Sequence, residues 1–133
     1  MSHYKKKYGT SGEFLVAIFL MMRDYNVFEP AATGARDLLV EIDDKYYGVQ
    51  VKSVMNLYED PNRKKQRFKF NLQHSGSQKA YDPDVVQIFA CVGLESRRII
   101  FLKNIGQKFK SINTEDFNKQ KERASFEALL REL

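Results

Sequence analysis

Two alternating runs of apolar and polar residues, close together in the chain, limit its fold more than any other feature. The runs cover residues 37–42 and 47–53, and in each of them every second side chain is apolar. The apolar positions are Leu38, Val40, Ile42, Tyr47, Val49 and Val51. This period predicts two half-buried β-strands. Residues 43–46 lie between the runs, so the two strands are predicted to form a hairpin.

Burial of both apolar sets on one face restricts the register of this hairpin, because a slip of one residue would expose them. Pairing Ile42 with Tyr47 continues the ladder until Asp37 stands opposite Lys52. Gln50 then falls on the same polar face, one diagonal away from Asp37. The hairpin is therefore predicted to bring together three groups that suit a metal ion and a phosphate.

These three side chains match the needs of phosphodiester hydrolysis. Asp37 suits Mg²⁺, a hard cation that prefers oxygen ligands and keeps several waters. The ammonium of Lys52 would stabilise the negative charge that develops on the phosphate. Gln50 can offer its amide oxygen to a metal, although it brings no charge. An alternative interpretation of Gln50 is a degenerate site in a DNA-binding protein that no longer cuts.

The order of these residues resembles the PD-(D/E)XK nuclease superfamily, in which an acidic residue opens one strand and (Asp/Glu/Gln)-x-Lys lies on the next. Residues 36–40 and 47–52 are most similar to its branch with Gln in the second position, which includes a cyanobacterial group I intron homing endonuclease. The resemblance extends more weakly to about residue 105. The chain departs from the motif twice, since Arg36 replaces the name-giving Pro and Gln50 the usual carboxylate.

The resemblance implies an α/β protein with a restriction-endonuclease-like core, in which a mixed sheet containing the catalytic hairpin is flanked by helices. It also implies catalysis by Asp37, Gln50, Lys52 and Glu13, with Mg²⁺ as cofactor and Mn²⁺ as its substitute. The implied metal ligands are Asp37, Gln50, the carbonyl of Val51 and Glu13. A carboxylate such as Glu13, in the first turn of a predicted helix, would also simply suit the helix dipole.

The remaining segments complete a single predicted domain over residues 1–133. Residues 1–9 are expected to form a flexible basic arm, before a helix over 12–25 with Ser11 as its N-cap. The apolar face of that helix is predicted to contain Phe14, Leu15, Ile18, Phe19 and Met22. Further strands are predicted over 67–74, 85–92 and 98–103. An amphipathic helix over 115–133, capped by Thr114, is expected to pack on the sheet.

The charge distribution favours a polyanionic partner. The net charge is +5, and a basic cluster lies within seven positions. The predicted DNA-binding residues are Arg63, Lys64, Lys65, Arg67, Lys69, Asn71 and Gln73. The basic ones would grip the backbone, whereas Lys69, Asn71 and Gln73 would reach base edges from an exposed strand face. A charge run can equally be a solvated surface.

Other reactive residue types are poor site candidates. Cys91 lies inside an apolar run, so it is expected to be a buried strand residue rather than a nucleophile. His74 and His3 lack the spacing of zinc ligands. The segment that begins at Asp82 with Asp-Pro-Asp predicts a turn before a strand. No segment predicts a membrane span or a signal peptide, so an intracellular setting is expected.

The sequence thus predicts a Mg²⁺-dependent DNA endonuclease that acts on double-stranded or branched DNA, and site-specific cleavage of the homing type is the leading hypothesis. Because one chain carries one active site, cutting both strands requires a homodimer or homotetramer. Resolution of four-way junctions and non-catalytic DNA binding on a degenerate nuclease scaffold are the alternatives. The sequence leaves open whether RNA, rather than DNA, is the partner.

Overall fold

The chain forms three layers, in which a five-stranded sheet lies between two helices and a two-stranded ribbon. The computed structural model describes residues 3–30, 34–55 and 67–133, and of residues 3–8 only the backbone. The helices are α1 (His3–Met21) and α2 (Lys119–Glu132). The strands are β1 (Asn26–Phe28), β2 (Leu38–Ile42), β3 (Lys45–Val54), β4 (Arg67–Asn71), β5 (Ile88–Gly93), β6 (Arg98–Lys103) and β7 (Phe109–Asn113).

The main sheet is mixed, as predicted. Its strand order is β1-β2-β3-β5-β6. Strands β3 and β5 are parallel, whereas the other neighbouring pairs are antiparallel. Every residue of β5 is buried, as predicted for a central strand, but the strand begins at Ile88 rather than at the predicted Val85, which lies in the preceding turn. Strand β6 has the bounds that its sequence pattern predicts.

The predicted hairpin forms, but its predicted register is wrong by two residues. Leu38 pairs with Val49, and Ile42 pairs with Lys45 rather than with Tyr47. Extending this register by one residue brings Asp37 level with Gln50, so Asp37 does not stand opposite Lys52. The predicted apolar faces are nevertheless correct, because side-chain direction in a strand repeats every two residues.

The turn explains the observed register. Strand β2 ends at Ile42 and β3 begins at Lys45, so the connection has two residues. Those residues are Asp43 and Asp44, with φ values of 51° and 63°. Positive φ at both central positions is typical of a type I′ hairpin turn, and Asp tolerates this conformation better than most residues. The sequence analysis allowed a longer connection and therefore shifted the pairing.

Both helices pack on one face of the sheet, around a common core. Val16, Phe19 and Leu20 of α1 are buried there, and α2 adds Phe126 and Leu129. The rings of Phe19 and Phe126 meet edge to face with centroids 5.1 Å apart. The prediction that the C-terminal helix packs on the sheet is therefore confirmed.

The helix boundaries differ from the predicted ones at both ends of the chain. Helix α1 begins at His3, so the backbone is already helical where a flexible arm was predicted, and Ser11 is an interior residue rather than a cap. Helix α2 is capped by Asn118, whose side chain accepts a hydrogen bond from the Lys121 N–H at 2.9 Å. Thr114 instead starts a short 3₁₀ helix.

Part of the predicted apolar face of α1 is exposed. Phe14, Ile18 and Met22 are 60%, 53% and 78% exposed, and Met21 is 51% exposed. The helix is apolar over most of its circumference, so the sequence pattern alone did not identify which stripe is buried. In the described part of the chain, no helix combines the length and hydropathy that crossing a membrane requires.

The ribbon, formed by β4 and β7, covers the other face of the sheet. Strand β7 was not predicted, and β4 ends at Asn71 rather than at the predicted residue 74. Phe70 and Ile112 point from the ribbon into a second core. Phe89 and Cys91 of β5 line the same core from the sheet. Burial raises the pKa of the Cys91 thiol to about 12, in agreement with a structural role.

Candidate active site

Asp37 is held by the backbone of β3 at the start of the hairpin. Its N–H donates to the carbonyl of Val49 at 2.8 Å. Its Oδ2 accepts a hydrogen bond from the Val51 N–H at 2.9 Å. The carboxylate thus takes the place of a backbone carbonyl in the ladder, and both interactions fix its position at the edge of the sheet.

Lys52 projects from the ribbon side of the sheet and is held at its tip. Its Nζ donates to the Tyr81 hydroxyl at 3.0 Å and to the Gln73 carbonyl at 3.3 Å. The ammonium also lies 4.9 Å from the centre of the Tyr81 ring. Its charge lowers the pKa of Asp37, although other effects outweigh it. Asp37 and Lys52 therefore act electrostatically on one another without being cross-strand partners.

Glu13 reaches the site because α1 approaches β3 closely at the preceding residue. Gly12 is buried, and a Cβ there would collide with Oγ of Ser53 and lie 3.4 Å from Cγ1 of Val51. Only a residue without a side chain allows this approach. The next residue, Glu13, then forms a side-chain hydrogen bond with Asp37.

The pKa values of both carboxyl groups are raised. Desolvation raises the pKa of Glu13 to about 7, and the charge and hydrogen bond of Asp37 add to the shift. Desolvation also raises the pKa of Asp37, but the Val51 N–H, the Glu13 hydrogen bond and the Lys52 charge oppose this rise. Burial therefore favours the protonated form of Glu13 up to near-neutral pH, whereas three neighbouring groups oppose the same shift at Asp37.

Gln50 and the Val51 carbonyl, the other two predicted metal ligands, contact each other. The Gln50 Nε2 lies 3.4 Å from the carbonyl oxygen of Val51, to which it donates. A half-turn of the amide would exchange its nitrogen and oxygen, so either end can face this point.

The donor set fits a magnesium ion. Two carboxylates, one amide oxygen and one backbone carbonyl are hard oxygen donors, and Mg²⁺ commonly uses one or two carboxylates together with waters. Among the described residues, no group of three or more Asp, Glu, His and Cys side chains could hold a metal. A metal here would therefore depend on Glu13 and Asp37, supplemented by Gln50 and Val51.

The predicted DNA-binding residues divide into three groups. Arg63, Lys64 and Lys65 lie outside the described residues. Arg67, Lys69 and Asn71 are exposed on β4, as expected. Gln73 is only 7% exposed, so the prediction that its side chain reaches base edges is wrong. The strand ends before this residue, and a turn brings its backbone to Lys52.

Two residues that the sequence analysis did not select belong to the surroundings of the site. Tyr81 is 5% exposed and holds Lys52 through its hydroxyl. Its ring stacks against His74, with centroids 4.0 Å apart. The charge of Glu29 helps to raise the pKa of Glu13. No local motif marks either residue, because both approach the site only through the tertiary fold.

The comparisons with known proteins identify the fold. No family profile and no curated protein matches the sequence. A solved structure of a bacterial homing endonuclease, I-Ssp6803I, is similar to this chain with a TM-score of 0.64 and 14% identity, over 92% of this chain and 83% of that one. A Holliday junction resolvase from Archaeoglobus fulgidus aligns with a TM-score of 0.44 and 13% identity, over 82% and 86% of the two chains. The chain has the restriction-endonuclease-like fold.

Proposed function

We propose that this protein is a Mg²⁺-dependent DNA endonuclease of the PD-(D/E)XK superfamily, with its active site at Glu13, Asp37, Gln50 and Lys52. One observation carries the proposal: two interacting carboxyl groups, Glu13 and Asp37, lie beside a lysine whose ammonium is held by two acceptors. Both carboxyl groups are partly withdrawn from water, which is typical of functional sites. The fold, which is also that of a known endonuclease, agrees with the proposal.

Each group has a defined task in this proposal. Glu13, Asp37, Gln50 and the Val51 carbonyl would hold Mg²⁺, which supplies Lewis-acid stabilisation and a more acidic bound water. Lys52 places its positive charge beside the scissile phosphate and stabilises the charge that develops there. Tyr81 and the Gln73 carbonyl keep the ammonium in place before the substrate arrives.

Substitution of Lys52 separates catalysis from binding. We expect Lys52→Ala to reduce the cleavage rate by about 10²–10³-fold, because one charge-stabilising donor is lost. DNA affinity should fall only by the equivalent of one phosphate contact. Lys79→Ala, at an exposed lysine, is the matched control. Equal losses of binding and cleavage would contradict the assigned role of Lys52.

A non-catalytic DNA-binding protein is the second candidate, and the neutral amide of Gln50 favours it. Gln50 brings no charge to the ligand set, and its amide contacts the Val51 carbonyl, another of the assigned ligands. A site with these groups would hold the metal more weakly than a site with a carboxylate at this position. In that case wild-type protein would bind DNA without cutting it, and Lys52→Ala would change nothing beyond one contact.

We propose that the endonuclease is site-specific, like the homing enzymes, and works as a homodimer or homotetramer. Two cuts in a duplex need two active sites. The exposed stripe at the end of α1 supports self-association, since Phe14, Ile18, Met21 and the adjoining Met22 leave on the order of 500 Å² uncovered if a whole residue exposes about 200 Å². This is more than half of the roughly 800 Å² that each partner buries in a stable interface.

Light scattering of free and DNA-bound protein tests the oligomer. We expect at least a dimeric mass, and we expect Ile18→Lys, in the stripe, to lower it. Ile105→Lys is the control, because Ile105 is 74% exposed but lies between β6 and β7. A monomeric mass in both states would contradict self-association.

A further inference from the structure

The ribbon presents a polar, positively charged outer face. In its antiparallel register Arg67 pairs with Asn113, Lys69 with Ser111, and Asn71 with Phe109. These six residues share the outer face, because the alternate residues Phe70 and Ile112 point into the core. Strand β7 therefore adds a second row of side chains to the one that the sequence analysis assigned to DNA.

Cross-strand contacts hold the outer side chains in place. The Nε of Arg67 donates to Oδ1 of Asn113 at 3.0 Å. The Nζ of Lys69 lies 4.1 Å from the centre of the Phe109 ring. Such pairs are the main source of side-chain order on a two-stranded surface. The side chains of the inner face pack into the second core, and this packing restrains the position of the ribbon.

One end of the ribbon adjoins the candidate active site. The carbonyl of Gln73 accepts a hydrogen bond from Lys52, and the Gln73 N–H donates to Oδ1 of Asn71 at 3.0 Å. From Asn71 back to Arg67 the strand rises about 13 Å, at about 3.3 Å per residue. That length corresponds to roughly four base pairs along a DNA duplex.

A basic cleft runs along β7, between the ribbon and α2. The cleft has a volume of about 460 Å³, and Arg67, Lys110 and Lys121 line it together with Asp116. With three cationic side chains and one carboxylate, the lining carries a net positive charge, which favours binding of the DNA phosphate backbone. A duplex that lies along the ribbon would thus meet Lys52 at one end and phosphate-binding cations along its β7 side, from Lys110 to Arg67.

We propose that the ribbon lies in the major groove of duplex DNA and reads about four base pairs beside the scissile phosphate, with the cleft beside β7 on the phosphate backbone. The inference rests on the proposed function for the position of the phosphate. The major groove of B-form DNA is about 12 Å wide and admits a two-stranded ribbon, whereas the major groove of A-form RNA is too narrow for side chains. Asn71, Ser111 and Lys69 reach the base edges, and Lys110 and Lys121 contact phosphates.

Binding to a pool of randomised duplexes, in EDTA so that no strand is cut, tests this arrangement. We expect Asn71→Asp and Ser111→Ala to change base preference at adjacent positions by about five- to a hundredfold. Asn71→Asp keeps the acceptor for the Gln73 N–H, so the turn beside Lys52 stays intact.

Lys110→Ala and Lys121→Ala should weaken binding to all sequences alike and reduce the salt dependence of the affinity by about one ion each. Lys79→Ala should alter neither the preference nor the strength of binding.

Methylation of the DNA identifies the groove. Guanine N7 lies in the major groove and adenine N3 in the minor groove, so methylation of guanine N7 in a block of about four base pairs should block binding. Unchanged base preference in both ribbon variants, interference only from adenine N3, or equal competition by duplex RNA would overturn the proposal. Because no step of this assay needs cleavage, loss of the proposed endonuclease activity would leave the ribbon result standing, and the reverse also holds.

Discussion

The carboxyl groups of Glu13 and Asp37 interact, although the two residues belong to different layers of the fold. Glu13 comes from helix α1 and Asp37 from the start of the β2–β3 hairpin. Gly12 makes the contact possible, because it lets the helix lie against β3. Burial, and then the neighbouring Asp37, raise the pKa of Glu13 to about 7, at the point where the proposed function requires a divalent cation.

The raised pKa of Glu13 makes stability depend on pH. The pKa of Glu13 is about 7 in the folded protein and 4.5 as the ordinary value. Between these values the folded state binds the proton and the unfolded state releases it, so the free energy of unfolding decreases as pH rises. In metal-free buffer we expect Glu13→Gln to match the wild-type Tm near pH 4 and exceed it above pH 7. Glu127→Gln, at an exposed glutamate of α2, is the control. A Tm difference that is constant with pH would show that the shift is absent.

Gln50→Glu tests whether the missing carboxylate limits metal binding. The added charge should tighten Mg²⁺ binding by about tenfold or more, because a carboxylate replaces a neutral amide in the ligand set. The measurement is the increase of Tm with Mg²⁺ concentration, which follows from preferential binding to the folded state. Gln87→Glu provides a control at a glutamine that is bonded to Gly48 and Pro83 instead. If neither Mg²⁺ nor Mn²⁺ raises the Tm of either protein, the assigned ligands are wrong.

Tyr81→Phe tests the positioning of Lys52. The variant keeps the ring but removes the hydroxyl that accepts from Nζ at 3.0 Å. Loss of one hydrogen bond to a charged group corresponds to roughly tenfold in rate, so we expect kcat to fall by that factor while KM is unchanged. Tyr46→Phe, at a tyrosine that is 60% exposed, should leave kcat unaltered. A fall in Tm or a rise in KM with no change in kcat would assign Tyr81 a structural role only.

Two glycines of the same helix provide a matched test of the approach of α1. A Cβ at Gly12 meets Ser53, whereas a Cβ at Gly9 has no atom within 4 Å among the described residues. Gly12→Ala should lower the free energy of unfolding by about 1–3 kcal/mol, as overpacking does. Gly9→Ala should raise it by about 0.5–1 kcal/mol, since Ala favours the helix. Chemical denaturation of both variants measures the difference, and equal effects would show that α1 does not depend on the contact at Gly12.

The hairpin shows what the sequence can and cannot predict about this site. The alternation of apolar residues correctly predicted both strands and the face on which Asp37, Gln50 and Lys52 lie. A shift of two residues leaves the alternation unchanged. The pattern therefore could not distinguish the two registers, and the predicted cross-strand pairing of Asp37 with Lys52 was wrong. Only the conformation of the Asp-Asp turn decides between the two registers.

The misassigned parts of the fold share a physical cause. Helix α1 carries more apolar residues than its contact with the sheet can bury, so the sequence did not reveal that Phe14 and Ile18 are exposed. Strand β7 is short and has mixed composition, and it is stabilised by pairing with β4 rather than by its own pattern. Tyr81 contacts Lys52 through tertiary packing, which the spacing of residues in the sequence does not reveal.

Cleavage of a mixed DNA pool tests the central claim most directly. The pool contains randomised duplexes and four-way junctions in Mg²⁺ or Mn²⁺, and the ends are mapped by sequencing beside an Asp37→Ala protein. We expect cuts at defined sites that disappear with Asp37→Ala. Cuts confined to junctions would keep the enzyme but replace site-specific cleavage with junction resolution. Binding without any cut, in either metal, would contradict the claim that this protein is an endonuclease.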